Sequence, residues 1–328
     1  MSSTSIRAWP LIRLLPAKTS FRFVGFARIA GILSILAVIG SLTLCFTEGL
    51  KLGIDFQGGS SIELSAAPAA VNLGVVRGTL NNLHVGDVQV QAIGTSGDAL
   101  VRFQTPKGAD ASDTASHVKA ALASAIPNLK FTQSQVVGPK VSGELFRNGV
   151  LALAIAIGLM LIYIWFRFEL QFGLGAVAAL FHDVILTFGL FALFRLEFTL
   201  TIIAAILTII GYSMNDTVVV FDRLRENLRK FRRMPLREVI ELSINETLSR
   251  TVITGLTAVL ALGGLAIFGG EALRNFSIAL IFGIVIGTYS SIYVASPIIL
   301  LWGVKRGEDE AKGGAAAKGA KAAPASRP

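Results

Sequence analysis

Apolar residues run along this chain in six blocks, near residues 29–46, 148–166, 170–194, 198–221, 250–269 and 276–302. A helix needs about 20 apolar residues to cross about 30 Å of hydrocarbon, and each block supplies close to that length. The pattern predicts six transmembrane helices. The first block follows a basic stretch, as a secretion signal would, but it is longer than a signal's apolar region and no small-x-small cleavage site follows. Leu44 before Cys45 also fits a lipoprotein cleavage box poorly. The block is therefore expected to stay as a membrane anchor.

From about Thr47 to Phe146 the pattern changes to short periods. GIDFQGGSSIEL is strand-like and VNLGVVRGTLNNL is helical. VGDVQVQAIG and DALVRFQT are strands joined by a turn at Thr95 to Gly97, ASDTASHVKAALASAI is helical, and NLKFTQSQVV is a last strand. Asp113 is expected to cap the second helix. The order βαββαβ is that of a ferredoxin-like unit. The fold class is thus a polytopic α-helical membrane protein of six transmembrane helices, with one α+β ferredoxin-like periplasmic domain between the first and second.

After the fourth block, Leu224, Leu228 and Phe231 recur at helical spacing among arginines, which predicts a basic amphipathic helix on the cytoplasmic surface. Pro235 suits the first turn of a further short helix leading into the fifth span, with Val239, Ile240 and Leu242 on its apolar side. Beyond Val304 the chain turns to Gly, Ala and Lys and is expected to be disordered. The parts are a leader (1–28), a first span (29–46), a domain (47–146), five spans (147–303) interrupted by the basic segment 222–249, and a tail (304–328).

Composition agrees with a chain whose solvent is largely lipid: 53% of residues are hydrophobic and 16% charged, with a mean hydropathy of +0.65. The net charge of +9 would suit a nucleic-acid partner if it formed a patch. It falls instead in short segments beside apolar blocks, the form that orientation signals take, so no nucleic acid is expected. Arg7, Arg13, Lys18, Arg22 and Arg28 precede the first span. Arg223, Arg225, Arg229, Lys230, Arg232, Arg233 and Arg237 follow the fourth. Both groups belong in the cytoplasm, so the loops around Arg195 and Glu271 face outward and both termini face inward, as in a multi-pass protein of a bacterial inner membrane. Cys45 is the single cysteine, which excludes an internal disulfide and a thiolate cluster.

Ionisable groups inside spans are costly, so each is a candidate for function. Asp183, beside His182, is near the middle of the third span, and Asp216 is near the cytoplasmic end of the fourth. Arg250 opens the fifth span at a depth similar to that of Asp216. Tyr212 and Ser213 share a helix face with Asp216, Thr254 and Thr257 share one with Arg250, and Asn215 is counted in the same polar seam. This spacing fits a proton relay and a static ion pair equally well. Asp183 fits a structural hydrogen bond as well as a relay. His84 and His117 are in the outer domain and no HExxH helix occurs, so neither metal nor cofactor is expected. No nucleophile and base share a depth, so no enzyme is expected either. Gly283 and Gly287 suggest close helix packing. Gly58 and Gly59, following Asp55, suit a turn or bulge better than a phosphate cradle.

Three stretches in this order resemble the SecF family of the bacterial Sec protein-export machinery: LGIDFQGGSSIEL, VGPKVSGEL and GYSMNDTVVVFDRLREN. AALFHDVILTFG and INETLSRTVITGLTAV extend the resemblance over roughly residues 21 to 303, and Ser60 stands where the family commonly has threonine. The resemblance implies a subunit that pairs with SecD and works beside the SecYEG channel, with YajC and YidC as further partners. It also implies use of the proton-motive force to draw preproteins outward. The family's proton-carrying aspartate falls on Asp216, its intramembrane arginine on Arg250, and its third-span His-Asp motif on Asp183. A different class, half of a proton-coupled exporter of small molecules or lipids of the RND superfamily, shares six-span halves. Such exporters carry much larger outer domains. A structural subunit that moves no proton is a third reading.

Overall fold

The computed structural model describes residues 19–86, 88–93, 97–106 and 108–304. The leader up to residue 18, most of the expected turn at Thr95 to Gly97, and the tail beyond residue 304 lie outside the described residues. In chain order the elements are α1 (Phe23–Thr47), β1 (Lys51–Leu52), α2 (Ile54–Gln57), β2 (Gly59–Ser65), α3 (Leu73–Asn82), β3 (Val88–Ile93), β4 (Asp98–Phe103), α4 (Ala111–Ala125) and β5 (Lys130–Val137). Then follow α5 (Pro139–Arg167), α6 (Leu170–Leu193), β6 (Glu197–Phe198), α7 (Leu200–Lys230), α8 (Leu236–Phe268), α9 (Gly270–Ser290), a π-helical turn (Ser291–Ala295) and α10 (Ser296–Trp302). Among the described residues six helices are long and apolar enough to cross a membrane, the sixth formed by α9, the π turn and α10 together.

The four longer strands pair in the order β3-β4-β2-β5, each antiparallel to its neighbour. With α3 and α4 as the crossovers this is the ferredoxin-like arrangement that the strand and helix order predicts. Ile62, Leu64, Val101 and Phe103 from the sheet are buried against Val76 and Leu80 of α3 and Val118 and Leu122 of α4. Asn72 caps α3, its side chain accepting from the N–H groups of Gly74 and Val75. The cap of α4 is Asp110, not Asp113: the Asp110 backbone is extended and its carboxylate accepts from Ser112 N and Asp113 N. Asp113 sits in the first turn, where its negative charge favours the helix dipole.

The segment GIDFQGGSSIEL is not one strand. Ile54–Gln57 forms a single helical turn that ends at Gly58 (φ +77°), and β2 begins at Gly59 (φ +142°). A Cβ at Gly59 would stand 2.5 Å from the Phe103 carbonyl oxygen, so the backbone crossing there admits only glycine.

The basic segment after the fourth span also differs from expectation. It is no separate helix on a surface: α7 continues unbroken to Lys230, and α8 starts directly after Pro235 and runs to Phe268. Leu224 is fully buried in one cluster with Val239 and Ile240, and Leu228 and Phe231 pack on its edge. Asn227 Nδ2 donates to Ser243 Oγ at 3.0 Å and Glu246 Oε2 at 2.7 Å, and Arg223 Nε donates to Glu246 at 2.6 Å. The apolar side of the segment thus faces the other helix of its own hairpin.

The α+β domain is fastened to the loop between α6 and α7. β1 pairs in parallel with β6, Lys51 opposite Glu197 and Leu52 opposite Phe198. Glu197 is ion-paired with Arg102 of β4 and lies 3.6 Å from Lys51 Nζ. Arg195 donates to the Glu48 carbonyl at 2.7 Å. Between this loop and the outer face of the sheet is a polar cleft of about 400 Å³, lined by Ser61, Glu63, Arg102, Gln133 and Gln135.

Candidate functional site: two buried carboxylates in the helix bundle

α6 and α7 are largely buried within the bundle, whereas α1, α5 and α8 are largely exposed. Asp183 lies midway along α6 and is 1% exposed. Its Oδ2 accepts from Ser213 Oγ of α7 and from Ser290 Oγ of α9, the latter at 2.8 Å. Its Oδ1 is 2.9 Å from His182 Nδ1. Three helices therefore meet on one carboxylate. The close approach that permits this comes from Gly287, where a Cβ would stand 2.8 Å from Ser213 Cβ. Gly283 abuts Ile209 one turn away, so the glycine pair of the sixth span serves packing against α7.

The network extends to α1. The His182 ring stacks on Tyr289 with centroids 6.0 Å apart, and Tyr289 Oη donates to the Ala30 carbonyl and lies 2.9 Å from Ser34 Oγ. Deeper along the sixth span, Thr217 Oγ1 is 2.8 Å from Ser291 Oγ, the first residue of the π turn. Ser291 and Ser296 direct their hydroxyls to helix carbonyls. A π turn widens the helix by one residue per turn and leaves backbone groups that serines can satisfy, a feature frequent at functional sites.

Asp216 is set differently. It is 8% exposed and faces α8, where Thr251 Oγ1 donates to its Oδ1 at 2.7 Å. Its Oδ2 is buried and makes no hydrogen bond of normal geometry among the described residues, with Thr288 the further hydroxyl on that side. Arg250 forms no ion pair within 4.0 Å among the described residues, so a direct Asp216–Arg250 pair is not formed. The next residue, Thr251, takes that place because it is buried on the inner face of α8 while Arg250 is exposed on the outer one.

Two family models match the chain: SecD/SecF C-terminal, over residues 117–305, and the SecD/SecF GG motif, over residues 43–70. A protein translocase subunit SecF from Cereibacter sphaeroides is 45% identical over 304 residues, covering 90% of this chain and 94% of that one. The chain belongs to the SecF family. A second SecF subunit, from Rhodobacter capsulatus, is 45% identical over 313 residues, with 91% and 94% covered. The crystal structure of SecDF from Thermus thermophilus, described as a translocon-associated membrane protein, superposes with a TM-score of 0.77 at 36% identity. That match covers 88% of this chain and 39% of the longer SecDF chain.

The other residues that helix spacing placed in the polar seam divide between the two carboxylates and neither. Ser213, expected on the Asp216 seam, belongs to Asp183. Tyr212 is half-buried with its hydroxyl toward Gly255, and Asn215 is exposed. Thr254 and Thr257 are exposed and donate to carbonyls of their own helix, at 2.8 Å to Arg250 O and 3.0 Å to Ile253 O, so they do not reach Asp216. Thr251 and Ser290 carry no signal in the sequence that marks them as partners of the two carboxylates. Thr251 sits i+1 from Arg250, a spacing that only a known helix rotation would turn inward. Within the GG motif, Asp55 Oδ2 accepts from Leu200 N at 2.9 Å and so caps the start of α7, while Gly58 and Gly59 shape the turn into β2.

Proposed function

We propose that this chain is the SecF partner of a SecD subunit. Together they use the proton-motive force to promote preprotein export through the SecYEG channel and release on the periplasmic side, without covalent catalysis. The observation that carries the proposal is the environment of Asp216: a buried carboxylate with one oxygen held by Thr251 and the other making no hydrogen bond of normal geometry, and no ion pair, among the described residues. A static ion pair would hold both charges together. An open carboxylate oxygen can take up a proton and give it back.

Arg250 is exposed and stands on a helix whose apolar stretch is scarcely buried within the chain. A guanidinium facing lipid inside a span costs about 2.5–3.5 kcal/mol on insertion scales. A six-span partner packed on α8 would remove that cost and close the Asp216 site, and we assign this face to SecD. The basic segments then set the sidedness, with the leader and the α7–α8 hairpin in the cytoplasm and the α+β domain in the periplasm of an inner-membrane protein.

Coupling reaches the domain through α7. Asp216 is on this helix, and the N–H of its first residue, Leu200, donates to Asp55 of the domain. Protonation of Asp216 changes its bond to Thr251, shifts α7 against α8, and tilts the domain on the β1–β6 contact. One charge crossing 100 mV releases about 2.3 kcal/mol, and driving a two-state element from 1:99 to 99:1 needs about 5.5 kcal/mol, so roughly two charges per switch are needed at that potential. Preprotein chase in inverted vesicles, with and without an ionophore, tests the proposal. The stimulated fraction should vanish with the ionophore and fail to appear with Asp216→Asn.

A further inference from the structure

A groove of about 820 Å³ runs between α1 and the end of the sixth span, at the end of the bundle where α1 begins. Val24, Ile32 and Ile35 form one wall and Val294, Ile298 and Leu301 the other. Gly25 and Gly31 line it, and among the described residues nothing lies within 4 Å of where a Cβ would stand, so no described neighbour fills the space.

Two cations stand in this lining, Arg28 of α1 and Arg237 at the start of α8, and apart from Ser34 and Tyr293 the rest of it is apolar. Both are exposed, and neither forms an ion pair among the described residues. Three other arginines at the same end of the bundle are paired, Arg167 with Asp222, Arg223 with Glu246 and Arg225 with Glu169, whereas Arg22, Arg229 and Arg233 are exposed outside the groove and form no ion pair among the described residues. The groove thus joins an apolar trough along two membrane-spanning helices to two unmatched guanidinium groups at the depth where a span begins. A neutral partner helix would fill the trough and leave the arginines unanswered. A soluble anion would answer the arginines and leave the trough empty.

We infer that the groove holds an anionic phospholipid, with acyl chains between α1 and the sixth span and the phosphate between Arg28 and Arg237. Guanidinium groups bind phosphate oxygens through paired N–H donors, and basic pockets between spans select anionic headgroups. The site does not depend on the proton-coupled reading of Asp216.

The test is native mass spectrometry of the full chain released from bilayers of equal phosphatidylglycerol and phosphatidylcholine. The wild type should retain phosphatidylglycerol preferentially, and the double variant Arg28→Gln/Arg237→Gln should lose that preference by about fivefold for each arginine. Arg233→Gln, exposed and outside the groove, should keep it. Gly31→Leu, which fills the trough, should lose phosphatidylglycerol with both arginines intact. Thermal melting establishes that each variant is folded, and if Gly31→Leu is not, the arginine variant decides. Equal retention of the two lipids by the wild type, or an unchanged preference in a folded groove variant, would overturn the inference and leave the groove to a protein segment.

Discussion

Thr251, and not Arg250, hydrogen-bonds Asp216: its Oγ1 donates to Oδ1 at 2.7 Å across the α7–α8 contact. Arg250 makes no ion pair with that carboxylate within 4.0 Å. The two residues are separable by mutation. Thr251→Val keeps the shape and removes the donor, and a hydrogen bond to a charged group contributes about 1.5–3 kcal/mol. Proton-dependent export should fall roughly tenfold or more with Thr251→Val, while Arg250→Lys, which keeps the charge, retains much of it. Rates of preprotein chase, normalised to the amount of each variant in the membrane, check both.

Asp183 is predicted to matter for stability in a way that Asp216 does not. Removing the Ser290 hydroxyl leaves a buried oxygen short of a donor, at a cost of about 1–3 kcal/mol. Ser290→Ala should therefore lower the melting temperature of the purified chain. Asp183→Ala, which also opens a cavity where three helices meet, should lower it further. A melting curve for Ser290→Ala that overlays the wild type would contradict this.

Glu197 joins the domain to the α6–α7 loop, and its carboxylate is the common partner of Arg102 and Lys51. Breaking a largely buried pair by removing one member costs on the order of 3 kcal/mol. Glu197→Ala should broaden the distance distribution between spin labels at Ser116 of α4 and Phe194, both exposed. A distribution as narrow as the wild type's would show that the β1–β6 contact holds the domain unaided.

Gly59→Ala should weaken β2. The φ of +142° is a region that side chains rarely adopt, and the added Cβ meets the Phe103 carbonyl. Strained backbone of this kind costs about 1–3 kcal/mol. Faster proteolysis within the domain, with the spans left intact, is the expected result.

The spans were legible in the sequence because lipid imposes one constraint, an unbroken apolar length, that needs no knowledge of neighbours. The βαββαβ order was legible for a similar reason, since each element carries its own period. Features that depend on helix rotation or on a distant partner were hidden. Asp216 and Arg250 sit at matching depths, yet depth does not say which side of α8 turns inward, and the inward residue is Thr251. Ser213 is three residues from Asp216 on α7, but Gly287 draws α9 close enough for it to serve Asp183 instead. The cap of α4 fell to Asp110 rather than Asp113 because a cap is fixed by where the backbone leaves the extended region, which spacing alone does not mark. Leu224, Leu228 and Phe231 looked like a surface-seeking face because their partners, Val239 and Ile240, follow only after the turn.

The central claim is that the open carboxylate of Asp216 carries the proton that drives export. Its most direct test is the rate of preprotein chase in inverted vesicles, with and without an imposed proton gradient, for the wild type and Asp216→Asn at equal abundance. The account predicts that Asp216→Asn assembles normally and shows the same basal rate whether or not the gradient is present. A gradient-dependent stimulation equal to the wild type's would contradict it.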